Sequence, residues 1–201
     1  MHRVSVLGFV LLAVCFSAAQ QSGAPSPSGN VEKTNTAPSP EIDFMHKAFG
    51  DDFTPEPGIP AVTGDLDGDG VEDIVMAARV KNALLGEGSY NYKVVDPYYS
   101  FFGYGDVKVT GQFSVEDPHH KGLVLLVVHG NGTQAWHSET PKAKFVVVNL
   151  PFEKVSMRRW QIKKKLTNAI FTQETFTAAG DAVIFWDGKK YKYEPLGSSQ
   201  Q

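Results

Sequence analysis

The chain has 201 residues, 42 % of them hydrophobic and 20 % charged, with a net charge of −3. This is the balance of a folded globular protein of about one domain. It excludes the strong positive excess on which nucleic-acid-binding and polybasic membrane-surface proteins depend.

In chain order, His2 and Arg3 lead into the apolar run Val4–Phe16, and Ser17-Ala18-Ala19 then offers small side chains ahead of Gln20. That is the layout of a secretory signal peptide, and an apolar core of 13 residues is shorter than the ~20 that span a bilayer. Residues 1–19 are therefore expected to be removed on export to the periplasm or the extracellular space. No transmembrane segment is expected in the mature chain. Cys15, the only cysteine, lies inside this segment, so the mature protein is expected to draw its stability from a packed core or a bound ligand. Val14 stands where a lipoprotein signal prefers a small residue, which argues against a lipid anchor at Cys15. Residues 20–40, rich in Ser, Pro, Gly, Asn and Thr, hold too little apolar surface to offset their ordering entropy and read as a disordered linker.

The folded body is expected over residues 41–197. Its first segment, EIDFMHKAFG, predicts one short helix that aligns Ile42, Met45 and Phe49 on a face, with Phe44 beside them and Gly50 as the stop. The rest reads as strand. DIVMAA from Asp73, KGLVLLVV from Lys121, KFVVVN from Lys144 and AVIFW from Ala182 are β-branched or aromatic runs bounded by turn residues. Asn131-Gly132 and Asp187-Gly188 tolerate the positive φ of tight hairpin turns. The expected class is mainly β, an antiparallel sandwich or a partial, propeller-like arrangement, with one short N-terminal helix.

The densest chemistry is GDLDGDGVED, residues 64–73. Asp65, Asp67, Asp69 and Asp73 stand at loop positions one, three, five and nine, with Gly70 at six. Alternate positions on a tightly curved loop point inward, so the carboxylates converge, the Val71 carbonyl can join them and Gly70 permits the turn. Hard oxygen ligands in this number suit Ca²⁺ better than Mg²⁺ or zinc. Position twelve is Met76 rather than the bidentate Glu of an EF-hand, and Ile74-Val75-Met76 favours a strand over an exiting helix.

GDLDGDGVEDIVMAA resembles the calcium loop of the FG-GAP/VCBS family, the blade repeat of integrin-α-type propellers, in which D-x-D-x-D-G-x-x-D leads directly into a strand. The resemblance implies Asp65, Asp67, Asp69, the Val71 carbonyl and Asp73 as calcium ligands, and Ile74 and Val75 as core positions of the strand. Only one copy of the motif is present, and the chain is too short for a full propeller, so adhesion is not implied.

Other constellations carry weaker signals. SYNYKVVDPYYSFFGYGD, residues 89–106, reads as a strand pair feeding the core, or as exposed rings, Tyr98 and Tyr99 among them, that stack on a sugar or anchor a protein. MRRWQIKKKL, residues 157–166, reads as a solvated strand edge, or as a partner surface built from Arg158, Arg159 and Trp160. His119, His120, His129 and His137 match no metal-ligand spacing and read as turn or surface histidines. A nucleophile elbow, a phosphate-binding glycine loop and an H-E-x-x-H helix are all missing from the sequence.

The expected function is therefore that of an exported, non-enzymatic calcium-binding module for a protein or glycan of the cell envelope or extracellular space. By further resemblance, one version is a periplasmic immunity-type protein that blocks peptidoglycan hydrolases. The alternative is an exported hydrolase or carbohydrate-active enzyme with unidentified catalytic carboxylates.

Overall fold

The structure is a computed structural model that describes residues 40–105, 118–174 and 181–197. The expected signal peptide with Cys15, and the linker up to residue 39, lie outside the described residues. Helix α1 spans Pro40–Phe49, carries Glu41 and Asp43 in its first turn and His46 and Lys47 in its last, and so matches its own dipole at both ends. Met45, Ala48 and Phe49 are its buried residues. Strands β1 (Thr54–Pro55), β2 (Val62–Gly64) and β3 (Asp73–Arg79) follow, then helix α2 (Glu87–Tyr90), β4 (Lys93–Val95) and helix α3 (Pro97–Phe101). Next come β5 (Leu123–His129), β6 (Ala143–Val147), β7 (Lys154–Ile162), β8 (Lys165–Gln173), β9 (Asp181–Trp186) and β10 (Tyr191–Gly197).

The strands form two sheets. The first has the order β1-β3-β5-β6-β4, with β2 also on β3, and the second is the meander β10-β9-β8-β7. Mainly β architecture and a sandwich arrangement are as expected, with no closed barrel among the described residues. Two details depart from the expectation. β4 pairs with β6 in parallel, through Lys93↔Phe145 to Val95↔Val147, so the first sheet is mixed. Short helices α2 and α3 interrupt what was expected to be continuous strand.

Alternation along the central strands explains the layering. Ile74, Met76, Ala78, Val124, Leu126, Val128 and Val146 face α1 and its ring cluster of Phe49, Phe53 and Tyr92. Their neighbours Val75, Ala77, Leu123, Leu125, Val127, Phe145 and Val147 face the second sheet, where Ile170, Ile184 and Tyr191 meet them. A sheet covered on both faces needs apolar residues at every position, which is why LVLLVVH is buried throughout. At the rim of β7, by contrast, Arg158 and Arg159 are exposed, as an edge strand requires.

The aromatic stretch 89–106 divides between core and surface. Tyr92 is buried and its hydroxyl donates to the Ala83 carbonyl at 2.7 Å. Tyr98 and Tyr99 belong to α3 instead of a strand, because Asp96 caps it by accepting from the Tyr99 N–H at 2.8 Å and Pro97 supplies the first-turn φ. Asp187-Gly188 forms the expected β9–β10 turn, with the Asp187 N–H donating to the Lys190 carbonyl at 3.1 Å. Asn131-Gly132 does not form a tight hairpin. Residues Gly132–His137 instead coil into 3-10 turns broken at Ala135, which lets Trp136 reach the ring of Phe44 on α1, 5.1 Å away.

Candidate metal centre

The acidic loop lies where several strand ends meet. Register places Gly64 of β2 opposite Asp73 of β3, and Ile74 opposite Val128 of β5, so Asp73 lies beside His129 and Gly130. His129 in turn pairs with Ala143, and the Lys142 N–H donates to the His129 carbonyl at 3.0 Å. From the second sheet, Thr167 donates its hydroxyl to the Asp65 carbonyl at 3.2 Å, and the Asn168 N–H donates to the same oxygen at 3.2 Å. Both sheets therefore hold the loop.

Within the loop, the Asp65 carboxylate accepts from the N–H groups of Gly68 at 2.6 Å, Asp69 at 3.1 Å and Gly70 at 3.0 Å. These bonds fold the segment around the carboxylate, and Gly70 with φ of 86° provides a conformation that side-chain-bearing residues rarely adopt. Asp73 is 1 % exposed and accepts from Leu66 N–H at 2.7 Å and Gly130 N–H at 2.8 Å. Ligand oxygens of Asp65, Asp67 and Asp73 all fall within 4.8 Å of one another. Three of the four expected acidic ligands thus converge. Asp69 is not among them: its Oδ1 accepts from the Val71 N–H at 2.8 Å and its Oδ2 meets Lys142 Nζ at 3.0 Å. Glu72 is exposed and accepts from the Thr63 hydroxyl at 2.9 Å.

Positive groups missed by sequence reasoning surround these carboxylates. Lys142 Nζ donates to Asp67 Oδ2 at 2.5 Å, and Lys165 Nζ donates to the carbonyls of Asp67 and Gly68 at 3.2 and 3.0 Å. His129, expected at a turn or surface, is instead 2 % exposed, because it ends the fully buried strand β5. Its Nδ1 stands 3.5 Å from Asp67 Oδ2, and its Nε2 shares a 2.6 Å hydrogen bond with the Tyr191 hydroxyl. These partners arrive from 60 to 100 residues away in sequence, so no local spacing could have signalled them.

The charge balance favours an added cation. Burial lowers His129 to about 4, so its imidazole is neutral at neutral pH despite Asp67 beside it. Burial also pushes the Asp73 carboxyl up to about 7; its two backbone donors oppose this, and Asp67 and Asp65 add to it. In Asp69 burial acts upward too, but the Val71 N–H and Lys142 outweigh it and hold the carboxyl below its ordinary range. Lys142 is raised, first by its hydrogen bond to Asp67 and then by that to Asp69. Among the described residues, the ion pairs of this loop reach Asp67 and Asp69 and none reaches Asp65 or Asp73. Each carboxylate oxygen that already accepts one hydrogen bond retains a second lone pair, so the Asp65, Asp67 and Asp73 set fits a hard divalent cation.

The predicted partner-binding residues fall at opposite edges of the second sheet. Trp160 of β7 lies edge-on to Phe171 with centroids 5.8 Å apart, and Arg158 stacks over the same ring at 5.0 Å. Arg159, one residue along, takes the opposite face. Tyr98 packs on Tyr193 of β10 at 5.0 Å, and Tyr99 on Tyr104 at 5.7 Å.

No protein-family model matches this chain, and neither a curated protein nor a solved structure matches it. Among the described residues no helix is long and apolar enough to cross a membrane.

Proposed function

We propose that this protein is an exported calcium-binding β domain of the FG-GAP/VCBS kind, and that it acts by binding a protein or glycan partner without catalysing a reaction. The observation that carries the metal reading is the convergence of Asp65, Asp67 and Asp73 within 4.8 Å. Ca²⁺ there would be held by these carboxylates, with Asp69 and the Val71 carbonyl as the remaining ligands that the loop pattern supplies. The cation would stabilise the fold, since a ligand that binds only the native state adds RT ln(1 + [L]/Kd).

The hydrolase alternative draws least support from the residue that most resembles an acid catalyst. A carboxyl near 7 is the range a general acid needs, and Asp73 has it. Yet both of its oxygens are taken by backbone N–H groups and its side chain is sealed from solvent. Its raised value follows first from its burial, with Asp67 and Asp65 adding to it.

Thermal melting of the full chain in EDTA and in Ca²⁺ tests the metal reading. The melt is expected to rise with Ca²⁺ in the native protein and to lose that response in Asp67→Ala. Lys142→Met is expected to tighten Ca²⁺ severalfold, because it removes the ammonium that competes for Asp67 and Asp69. A native melt indifferent to Ca²⁺ would sink the proposal.

A further inference from the structure

The second sheet ends in two hairpin tips on one side of the molecule, β7–β8 at Lys163-Lys164 and β9–β10 at Asp187 to Lys190. Between them lies an open cavity of about 860 Å³ whose walls include Trp160, Phe185, Trp186 and Tyr193. Lys163, Lys164, Lys165 and Lys192 line it as well, and Lys189 and Lys190 stand exposed on the second tip. None of the ion pairs among the described residues involves Lys163, Lys164, Lys189, Lys190 or Lys192. Asp187, the acid on that tip, is already engaged by the N–H groups of Lys189 and Lys190 at 2.9 Å each. Asp67, Asp187 and Glu194 line the cavity too, and Lys190 and Lys192 lie near enough to Asp187 to help hold its carboxyl below the ordinary range. In a chain whose net charge is −3, the lysines of this end still outnumber its acids and leave net positive charge around aromatic rings.

The β7–β8 turn adds an independent sign. Ile162 pairs with Lys165, leaving Lys163-Lys164 as a two-residue turn, and Lys163 holds φ of 56°. Lys164 is not among the positive-φ residues, so the first turn position alone needs positive φ, the place that two-residue hairpins of this kind give to Gly. A lysine in the left-handed region is an uncommon choice, and here it adds a cation to the lip of the cavity. Strain retained at one position points to a use for the side chain.

From this juxtaposition we infer that the cavity between the hairpin tips binds an anionic polysaccharide, its sugar rings stacking on the aromatic walls and its carboxylates pairing with the lysines of the two tips. Flat indole and phenol faces suit pyranose faces, since both are broad, apolar in the middle and polar at the rim. Lysines act as mobile point charges on flexible stems, which match carboxylates spaced along a polymer, whereas a single fixed carboxylate or phosphate is better gripped by the planar fork of Arg. The lysines of the tips bring no such fork to the cavity. Lys165 is held apart from this role by its bonds to the Asp67 and Gly68 carbonyls, and serves to fix the tip against the acidic loop.

The inference rests on the reading of the chain as a binding module and names its partner class. Its test is tryptophan fluorescence titration of the full chain at fixed free Ca²⁺ with a uronate hexasaccharide, set against a neutral hexose hexasaccharide and a hexaglutamate peptide of equal charge. The uronate is expected to bind at least about tenfold tighter than either control, with affinity falling as salt rises. Lys163→Gln combined with Lys164→Gln, and separately Trp160→Ala, should each weaken it by about tenfold while leaving the Ca²⁺-dependent melt unchanged. Equal binding of hexaglutamate would assign the cavity to acidic peptides and overturn the inference. So would equal binding of the neutral sugar, no binding of the uronate, or indifference to both the lysine and the tryptophan substitutions. Should Trp160→Ala fail to fold, the lysine pair decides, because exposed turn side chains carry little of the fold. Loss of uronate binding with an intact Ca²⁺ response fails this inference alone, and loss of the Ca²⁺ response fails the metal reading alone.

Discussion

Strand β5 crosses the middle of the first sheet with all seven residues buried, whereas β7, at the rim of the second, has none that is fully buried and presents Arg158, Arg159 and Trp160 along its length. The first sheet is clad on both faces, by α1 on one side and by the second sheet on the other, so ligand chemistry has room only at its strand ends. The acidic loop is at those ends. The second sheet has a free rim and two hairpin tips, and there the side chains are available along the strands themselves. Burial thus decides where each sheet can be functional.

That contrast can be broken by substitution. Leu126→Ala, fully buried on the α1 side of β5, is expected to cost about 4 kcal/mol of stability in a urea titration, as the lost transfer energy and the cavity combine. Gly130→Ala comes next, at about 3 kcal/mol, since an added Cβ would stand 2.3 Å from the Glu72 carbonyl oxygen and 2.7 Å from the Ala135 carbonyl carbon, both backbone atoms. It would also displace the N–H that serves Asp73, so its Ca²⁺ affinity should fall together with its stability. Leu166→Ala on β8, 53 % exposed, is expected to cost about 0.5 kcal/mol or less. Similar costs at Leu126 and Leu166 would mean that the two sheets do not differ in the way described.

Much of the sheet framework was legible because buried strands advertise themselves through β-branched runs: DIVMAA, LVLLVV and AVIFW each fall within a strand, and KFVVVN does so up to Val147. The convergence of Asp65, Asp67 and Asp73 was legible for a similar reason: these carboxylates are local and their spacing is set by the curvature of the chain. What escaped was set by contacts distant in sequence. Lys142 and His129 reach Asp67 only through the pairing of β5 with β6. Asn131-Gly132 had the composition of a hairpin turn, but Gly132–His137 coil into 3-10 turns that carry Trp136 onto Phe44. Tyr98 and Tyr99 resemble strand residues in type, and the Asp96-Pro97 cap overrides that preference. The lysines of the two tips were readable as charge, but their meeting across one cavity depends on the meander order of the second sheet.

The parallel pairing of β4 with β6 has a kinetic consequence. It joins Val94 to Val146, and β3 must find β5 through Ile74 and Val128, so the first sheet is completed only after long loops have closed. The β7–β8 and β9–β10 hairpins close across a few residues, as in Ile162↔Lys165 and Trp186↔Tyr191. Loop-closure entropy favours the short closures first. Amides of β7 and β8 are therefore expected to gain protection in pulsed hydrogen exchange before those of β4 and β6, and the reverse order would refute this. On that schedule the basic tips exist before the acidic loop, closed locally by Gly64↔Asp73, has the end of β5 to rest on.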